Sequence, residues 1–128
     1  MPSKATILYI EDNSDNRKLV RRVLEVEGYS VVEASDGLQA MECLETQHMD
    51  LVLMDINMPE VDGYTLTARI KAMPQFSGLP IVAVTANVMR GDRERSLRAG
   101  CDGYIQKPID IDMLSQQIER FLTRKANA

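Results

Sequence analysis

Tryptophan is absent from the 128 residues, histidine occurs once, and aromatic side chains make up only 5% of the chain. The single histidine, His48, sits between Gln47 and Met49 and reads as a surface residue, so no Ser-His-Asp or Cys-His constellation is supported. The two cysteines, Cys43 and Cys101, have neither CxxC nor zinc-ligand spacing; they are expected to be buried thiols, with no disulfide and no structural metal. Long apolar runs are missing too. The longest, such as Leu51 to Met54 and Ile81 to Val84, fall far short of the ~20 residues a membrane-spanning helix needs. The start Met1-Pro2-Ser3-Lys4 leads into no secretory h-region, which makes the cytoplasm the expected location. Nor is there a surplus of positive charge. With 15 basic and 19 acidic residues the net charge is -4, and no broad positive field exists to hold a nucleic-acid backbone. The arginines Arg90, Arg93, Arg95 and Arg98 alternate with acids and lack interleaved aromatics, so no nucleic-acid partner is expected.

What the chain does have is 45% hydrophobic and 27% charged residues, the composition of one globular domain spanning 1–128. Its apolar residues come in short solid runs: Ile7-Leu8-Tyr9-Ile10, Val31-Val32, Leu51-Val52-Leu53-Met54, Ile81-Val82-Ala83-Val84 and Tyr104-Ile105. Such runs fit strands buried on both faces. The longer segments between them carry helical spacing, as in Val20, Val23, Leu24 and in Leu114, Ile118, Phe121, Leu122. Gly28 and Gly100 fall where helices should stop, Pro74 closes another, and Asp110 is placed to cap the last. Strand and helix alternate five times, which implies parallel strands, right-handed crossovers and helices on both faces of one sheet. No effector domain is expected beside it. One segment stands apart: Val88 to Ala99 is half charged, with Val88, Met89 and Leu97 as its only large apolar anchors, and is either a solvated surface helix or a movable element.

In a parallel sheet all strand carboxyl ends share one edge, where open α/β folds bind ligands. The first strand ends in Glu11-Asp12, the third in Asp55, the fourth in Thr85 and the fifth in Lys107. Carboxylates gathered there repel, each pair at about 4 Å costing roughly 4 kcal/mol at an effective dielectric of 20. A hard divalent cation with oxygen ligands relieves that repulsion, and magnesium suits one or two carboxylates, waters and a phosphate oxygen; Lys107 adds a compact positive charge. Each residue taken singly has a plainer role. Asp12 could cap the first helix, Thr85 could be a β-former, Lys107 a solvated lysine and Asp62-Gly63 a turn. Capping does not explain Asp55 at the end of the most apolar strand.

Together these residues resemble the receiver domain of two-component response regulators along the whole chain. The family has an acidic pair after the first strand, an aspartate in a D-x-x-M-P-x-x-x-G stretch after the third, Ser or Thr then a small residue after the fourth, and Lys-Pro after the fifth. Here these are Glu11-Asp12, Asp55-Ile56-Asn57-Met58-Pro59-Glu60-Val61-Asp62-Gly63, Thr85-Ala86 and Lys107-Pro108, with Glu for Asp at position 11 the only variation. The resemblance implies a flavodoxin-like sheet of strand order 2-1-3-4-5. It implies Asp55 as phosphoacceptor from a histidine kinase or histidine phosphotransfer protein. Magnesium would be held by Asp12, Asp55 and the Asn57 carbonyl, with Glu11 acting through a water. Thr85, the Ala86 amide and Lys107 would contact the phosphoryl group, and the Lys107-Pro108 peptide would be cis. Thr85 and Tyr104 would act as a switch that reshapes the face of helix 4, strand 5 and helix 5 toward an unknown protein target. Kinase docking would fall beside helix 1 near Asn16 and Val20; Asn57 and Asn87 would tune hydrolysis; the protein would be a monomer or weak dimer, a switch rather than an enzyme.

Competing classes fit less well. A flavodoxin-like electron carrier expects Ser, Thr and Gly in its first loop, where Glu11-Asp12-Asn13 would repel a phosphate. A phosphatase of the haloacid dehalogenase type expects its nucleophile after the first strand, in a D-x-D pattern. An interaction-only pseudo-receiver usually lacks one of the key residues, and all are kept here.

Overall fold

Each apolar run forms a strand: β1 (Thr6–Ile10), β2 (Ser30–Ala34), β3 (Leu51–Asp55), β4 (Ile81–Thr85) and β5 (Gly103–Gln106). Between and after them lie α1 (Ser14–Val26), α2 (Gly37–Thr46), α3 (Gly63–Ala72), α4 (Arg90–Ala99) and α5 (Leu114–Asn127). The computed structural model describes residues 4–56, 58, 62–86 and 90–127. All four strand pairings are parallel, and the order across the sheet is β2-β1-β3-β4-β5, the doubly wound arrangement expected from the alternation.

Solid apolar runs are required because the sheet is covered twice. Every residue of β3 and β4 is buried. Their period of two sends Val52, Met54, Ile81 and Ala83 to one face, against Ala40 and Leu44 of α2 and Leu66 and Ile70 of α3. Leu51, Leu53, Val82 and Val84 go to the other, against Val20 and Leu24 of α1 and Leu114 and Ile118 of α5. Each fully buried side chain of this size contributes roughly 1.5–3 kcal/mol.

The helix ends refine the sequence expectations. Gly28 and Gly100 do follow helix ends, at φ of 98° and 100°, where a side chain would be strained. Asn13, not Asp12, caps α1: its side chain accepts from the Asn16 amide at 2.9 Å. Asp36 and Asp62 cap α2 and α3 in the same way. Asp110 does not cap α5, which begins at Leu114; its carboxylate accepts from the Asp112 amide at 3.0 Å and closes a turn before the helix. Both cysteines are free thiols, but only Cys101 is fully buried, Cys43 being half-buried on α2. Residues 87–89 lie outside the described residues, so α4 is described from Arg90 onward.

Candidate functional site

The carboxyl ends of β1, β3, β4 and β5 meet at one rim, which brings together residues far apart in sequence. Glu11, Asp12 and Asp55 converge, each offering an oxygen within 4.8 Å of the others. Asp55 is the last residue of β3 and almost fully buried. Lys107, one residue past β5, donates from Nζ to Asp55 Oδ1 at 2.8 Å and lies 3.8 Å from Glu11 Oε2. Its position is set by the backbone, because the Lys107 amide continues the β4–β5 ladder to the Thr85 carbonyl at 2.8 Å. The Lys107–Pro108 peptide is cis.

Thr85 is buried at the end of β4, and Ala86 next to it is exposed. Tyr104 is half-buried on β5 and packs against the cluster on the α2–α3 face. Asn57 and Asn87 lie outside the described residues. His48 is exposed on the opposite edge, with Nε2 3.0 Å from Asp50 Oδ1.

Crowding of acids in a buried place has an electrostatic signature. Burial, and after it the Asp55 carboxylate, pushes Glu11 up to about 7, against the pull of Lys107. Burial also raises the Tyr9 hydroxyl above its usual range, with Glu11 and Asp55 adding to the effect. Glu11 Oε1 is 3.4 Å from both the Asn13 amide and Asn16 Nδ2. Glu11 Oε2 is buried and has no hydrogen-bond donor, Lys107 being too far to serve as one. Three converging carboxylates, with a buried oxygen left unsatisfied, form an all-oxygen donor set that fits a hard divalent cation such as magnesium. The capping role considered for Asp12 is filled by Asn13, which leaves the exposed Asp12 carboxylate available to a cation.

Two features escape sequence reasoning. Gly63, the first residue of α3, lies so close to the end of β3 that an added Cβ would stand 2.9 Å from Ile56 Cα and 3.0 Å from the Asp55 carbonyl oxygen. The glycine of the D-x-x-M-P-x-x-x-G stretch was visible, but not what it touches. Arg17 donates from Nη1 to the Glu11 carbonyl at 2.6 Å and from Nε to Glu33 Oε1 at 3.2 Å. Only its place one helical turn after the acidic pair hinted at it.

An open parallel sheet with an acidic pocket and a lysine at its strand ends defines an α/β protein whose ligand edge carries an oxygen donor set suited to a hard cation. The chain belongs to the response regulator receiver domain family, whose sequence profile matches residues 7–119. It is 38% identical over 117 residues to the polar-differentiation response regulator DivK of Brucella ovis, covering 91% of this chain and 95% of that protein. The receiver domain of a sensor histidine kinase from Pseudomonas aeruginosa, solved with a magnesium ion coordinated in its active-site cleft, superposes with a TM-score of 0.83 at 38% identity, covering 93% of this chain and 98% of that one. The chemotaxis response regulator CheY4 of Vibrio cholerae superposes with a TM-score of 0.86 at 25% identity, covering 91% and 98%. Receivers signal through phosphorylation in two-component systems, bind magnesium at an acidic pocket, and interact with histidine kinases or phosphotransfer proteins and with downstream targets. No helix among the described residues is long and apolar enough to cross a membrane.

Proposed function

We propose that the 128 residues act as one phosphorylatable receiver domain in which Asp55 accepts a phosphoryl group from a phosphohistidine on a kinase or phosphotransfer protein. The observation that carries this reading is the buried Asp55 carboxylate, held 2.8 Å from Lys107 Nζ and beside Glu11 and Asp12. A carboxylate oxygen of Asp55 attacks phosphorus, the bond to the imidazole nitrogen breaks, and an acyl phosphate results. The work of the site is positioning and charge neutralisation. Lys107 balances charge on the transferred group, the Thr85 hydroxyl donates to one phosphoryl oxygen, and the small Ala86 leaves room for another beside its amide. Asp12 and Asp55 would hold magnesium with the main chain at position 57, Glu11 acting through a water. When bound, the ion supplies Lewis-acid stabilisation of the phosphoryl oxygens.

The phosphodonor would approach over a groove of about 420 Å³ beside the site, bounded by Asn16, Leu19 and Val20 of α1 and by Pro108, Ile109 and Ile111. Leu19 and Ile111 are exposed there, as suits a face that a partner covers. The output is a protein contact on the α4–β5–α5 face, reshaped when Thr85 and Tyr104 rearrange around the phosphoryl group. The receiver promotes its own phosphorylation and dephosphorylation and is a switch rather than an enzyme with a diffusible substrate.

The test is intact mass after incubation with a small phosphodonor, with and without magnesium, in wild type and Asp55→Asn. Addition of one phosphoryl group that needs magnesium and disappears in Asp55→Asn is expected. Failure of the folded wild type to be modified would leave an interaction module in place of a switch.

A further inference from the structure

Arg17 has no place in the acidic pocket itself, yet it is tied to the pocket's frame. Its guanidinium bridges the Glu11 carbonyl, at 2.6 Å, and the Glu33 carboxylate on β2, at 3.2 Å. Glu33 faces Tyr9 in the β1–β2 register, and the Glu11 amide extends that ladder to the Ala34 carbonyl at 3.0 Å. The other Glu33 oxygen is occupied by Arg21 Nη1 at 3.0 Å, so the acceptor is itself held in orientation. The side chains of Arg17 and Glu33 are only 16% and 22% exposed, which puts this bridge in a different class from the open Arg21–Glu25 pair on the same helix.

From this geometry we propose that Arg17, anchored by Glu33, is a positioning residue for the cation pocket: it fixes the turn that carries Glu11 and Asp12. The inference rests on the reading of the pocket as a magnesium site. Magnesium demands near-ideal octahedral geometry and tolerates displaced ligands poorly. Glu11 and Asp12 are consecutive residues in the turn between β1 and α1, and the carbonyl that Arg17 holds belongs to the peptide unit joining their Cα atoms. The helix cap at Asn13 holds the far side of this turn; Arg17 holds the near side, through a charge-assisted bond to the carbonyl. The planar fork of arginine presents its Nη1 and Nε donors to carbonyl and carboxylate in a fixed geometry, whereas lysine carries its donors on one flexible ammonium that does not reproduce that spacing.

Geometry and field act in opposite directions here, which makes the proposal separable from simpler accounts. Removing a positive charge near an acidic pocket strengthens cation binding, while loosening the ligands weakens it. Magnesium affinity is measured by calorimetric titration for wild type, Arg17→Lys, Arg17→Ala and Glu33→Gln, and melting temperature is followed in chelator. The expected result is weaker binding in all three variants, by about tenfold in Arg17→Ala, at the low end for groups that orient a metal ligand, and less in Arg17→Lys and Glu33→Gln. Tighter binding in Arg17→Ala with no change in Arg17→Lys would mean that the arginine acts only through its field and would overturn the proposal. Unchanged affinity in all three with a lowered melting temperature would overturn it in favour of a strut between α1 and β2. Should Arg17→Ala not fold, the charge-preserving Arg17→Lys decides: weaker binding sustains the proposal, and unchanged affinity overturns it. Wild type that binds no magnesium, with Asp12→Asn as control, would instead remove the pocket reading itself and the proposal with it.

Discussion

The two flanks of the sheet are held in different ways. On one, α1 buries Val20 and Leu24 against the sheet, and its polar side is tied to β2 through Arg17, Arg21 and Glu33. On the other, α4 has Glu94, Arg95, Leu97 and Arg98 exposed, with Leu97 64% accessible; among the described residues Ala99 packs against the core and the Arg95 guanidinium lies 4.7 Å over the Tyr64 ring of α3. The strands follow suit: all of β3 is buried, whereas only Ile105 is buried in β5. The acidic side chains sit at the ends of the firmly packed strands, and Lys107 comes from the lightly packed edge. A phosphoryl group on Asp55 would thus be built on a fixed frame and felt by the half that has least packing to resist movement.

The sharpest way to break this comparison is to remove the lysine that the lightly packed edge brings to Asp55. Lys107→Ala is expected to lower the rate of phosphoryl uptake from a small phosphodonor by about 10²-fold or more, the usual cost of deleting a charge-stabilising donor; rates by intact mass would check it. Packing differences should appear in urea unfolding. Leu24→Ala on α1 is expected to destabilise by about 2–5 kcal/mol, while Leu97→Ala on α4 should stay within about 0.5 kcal/mol of wild type. Equal losses would contradict the contrast between the flanks. Gly63→Ala presses a methyl group into the Asp55–Ile56 backbone and should cost about 1–3 kcal/mol in the same assay, together with weaker magnesium binding.

A smaller effect follows from pH. In metal-free protein the Glu11 carboxyl is raised from 4.5 to about 7, so the folded state binds a proton that the unfolded state has released. Stability from this group is fully present below about 4.5 and is lost as pH rises through about 7. Denaturation midpoints between those limits should fall with pH in wild type and fall less in Glu11→Gln; saturating magnesium should reduce the slope, because it replaces the proton as the compensating charge.

Much of the fold was legible because burial on both faces needs uninterrupted apolar runs, and those are local. Five runs separated by amphipathic segments allow few architectures, and the strand ends then locate Glu11, Asp12, Asp55, Thr85 and Lys107 on one rim. Helix starts were less legible. Asn13 and Asp12 are both good caps, and which one serves depends on the exit angle of β1; likewise Asp110 sits before a turn, and α5 begins only where Leu114 reaches the core. The approach of Lys107 and the cis peptide after it followed from the resemblance, but the contacts that hold the site's frame were not legible. The Arg17 bridge joins residues 6 and 16 positions apart, and the tight contact at Gly63 depends on how α3 docks against β3.

The amino-acid sequence by itself determined the alternation, the parallel sheet and the identities of the chemical groups at its edge, because hydrophobic period and turn residues act over short distances. Only the tertiary structure decided which acid is buried, which is left to meet a cation, and which arginine holds their turn. Those outcomes depend on desolvation and on distances of a few ångströms between elements that the chain brings together only when it folds.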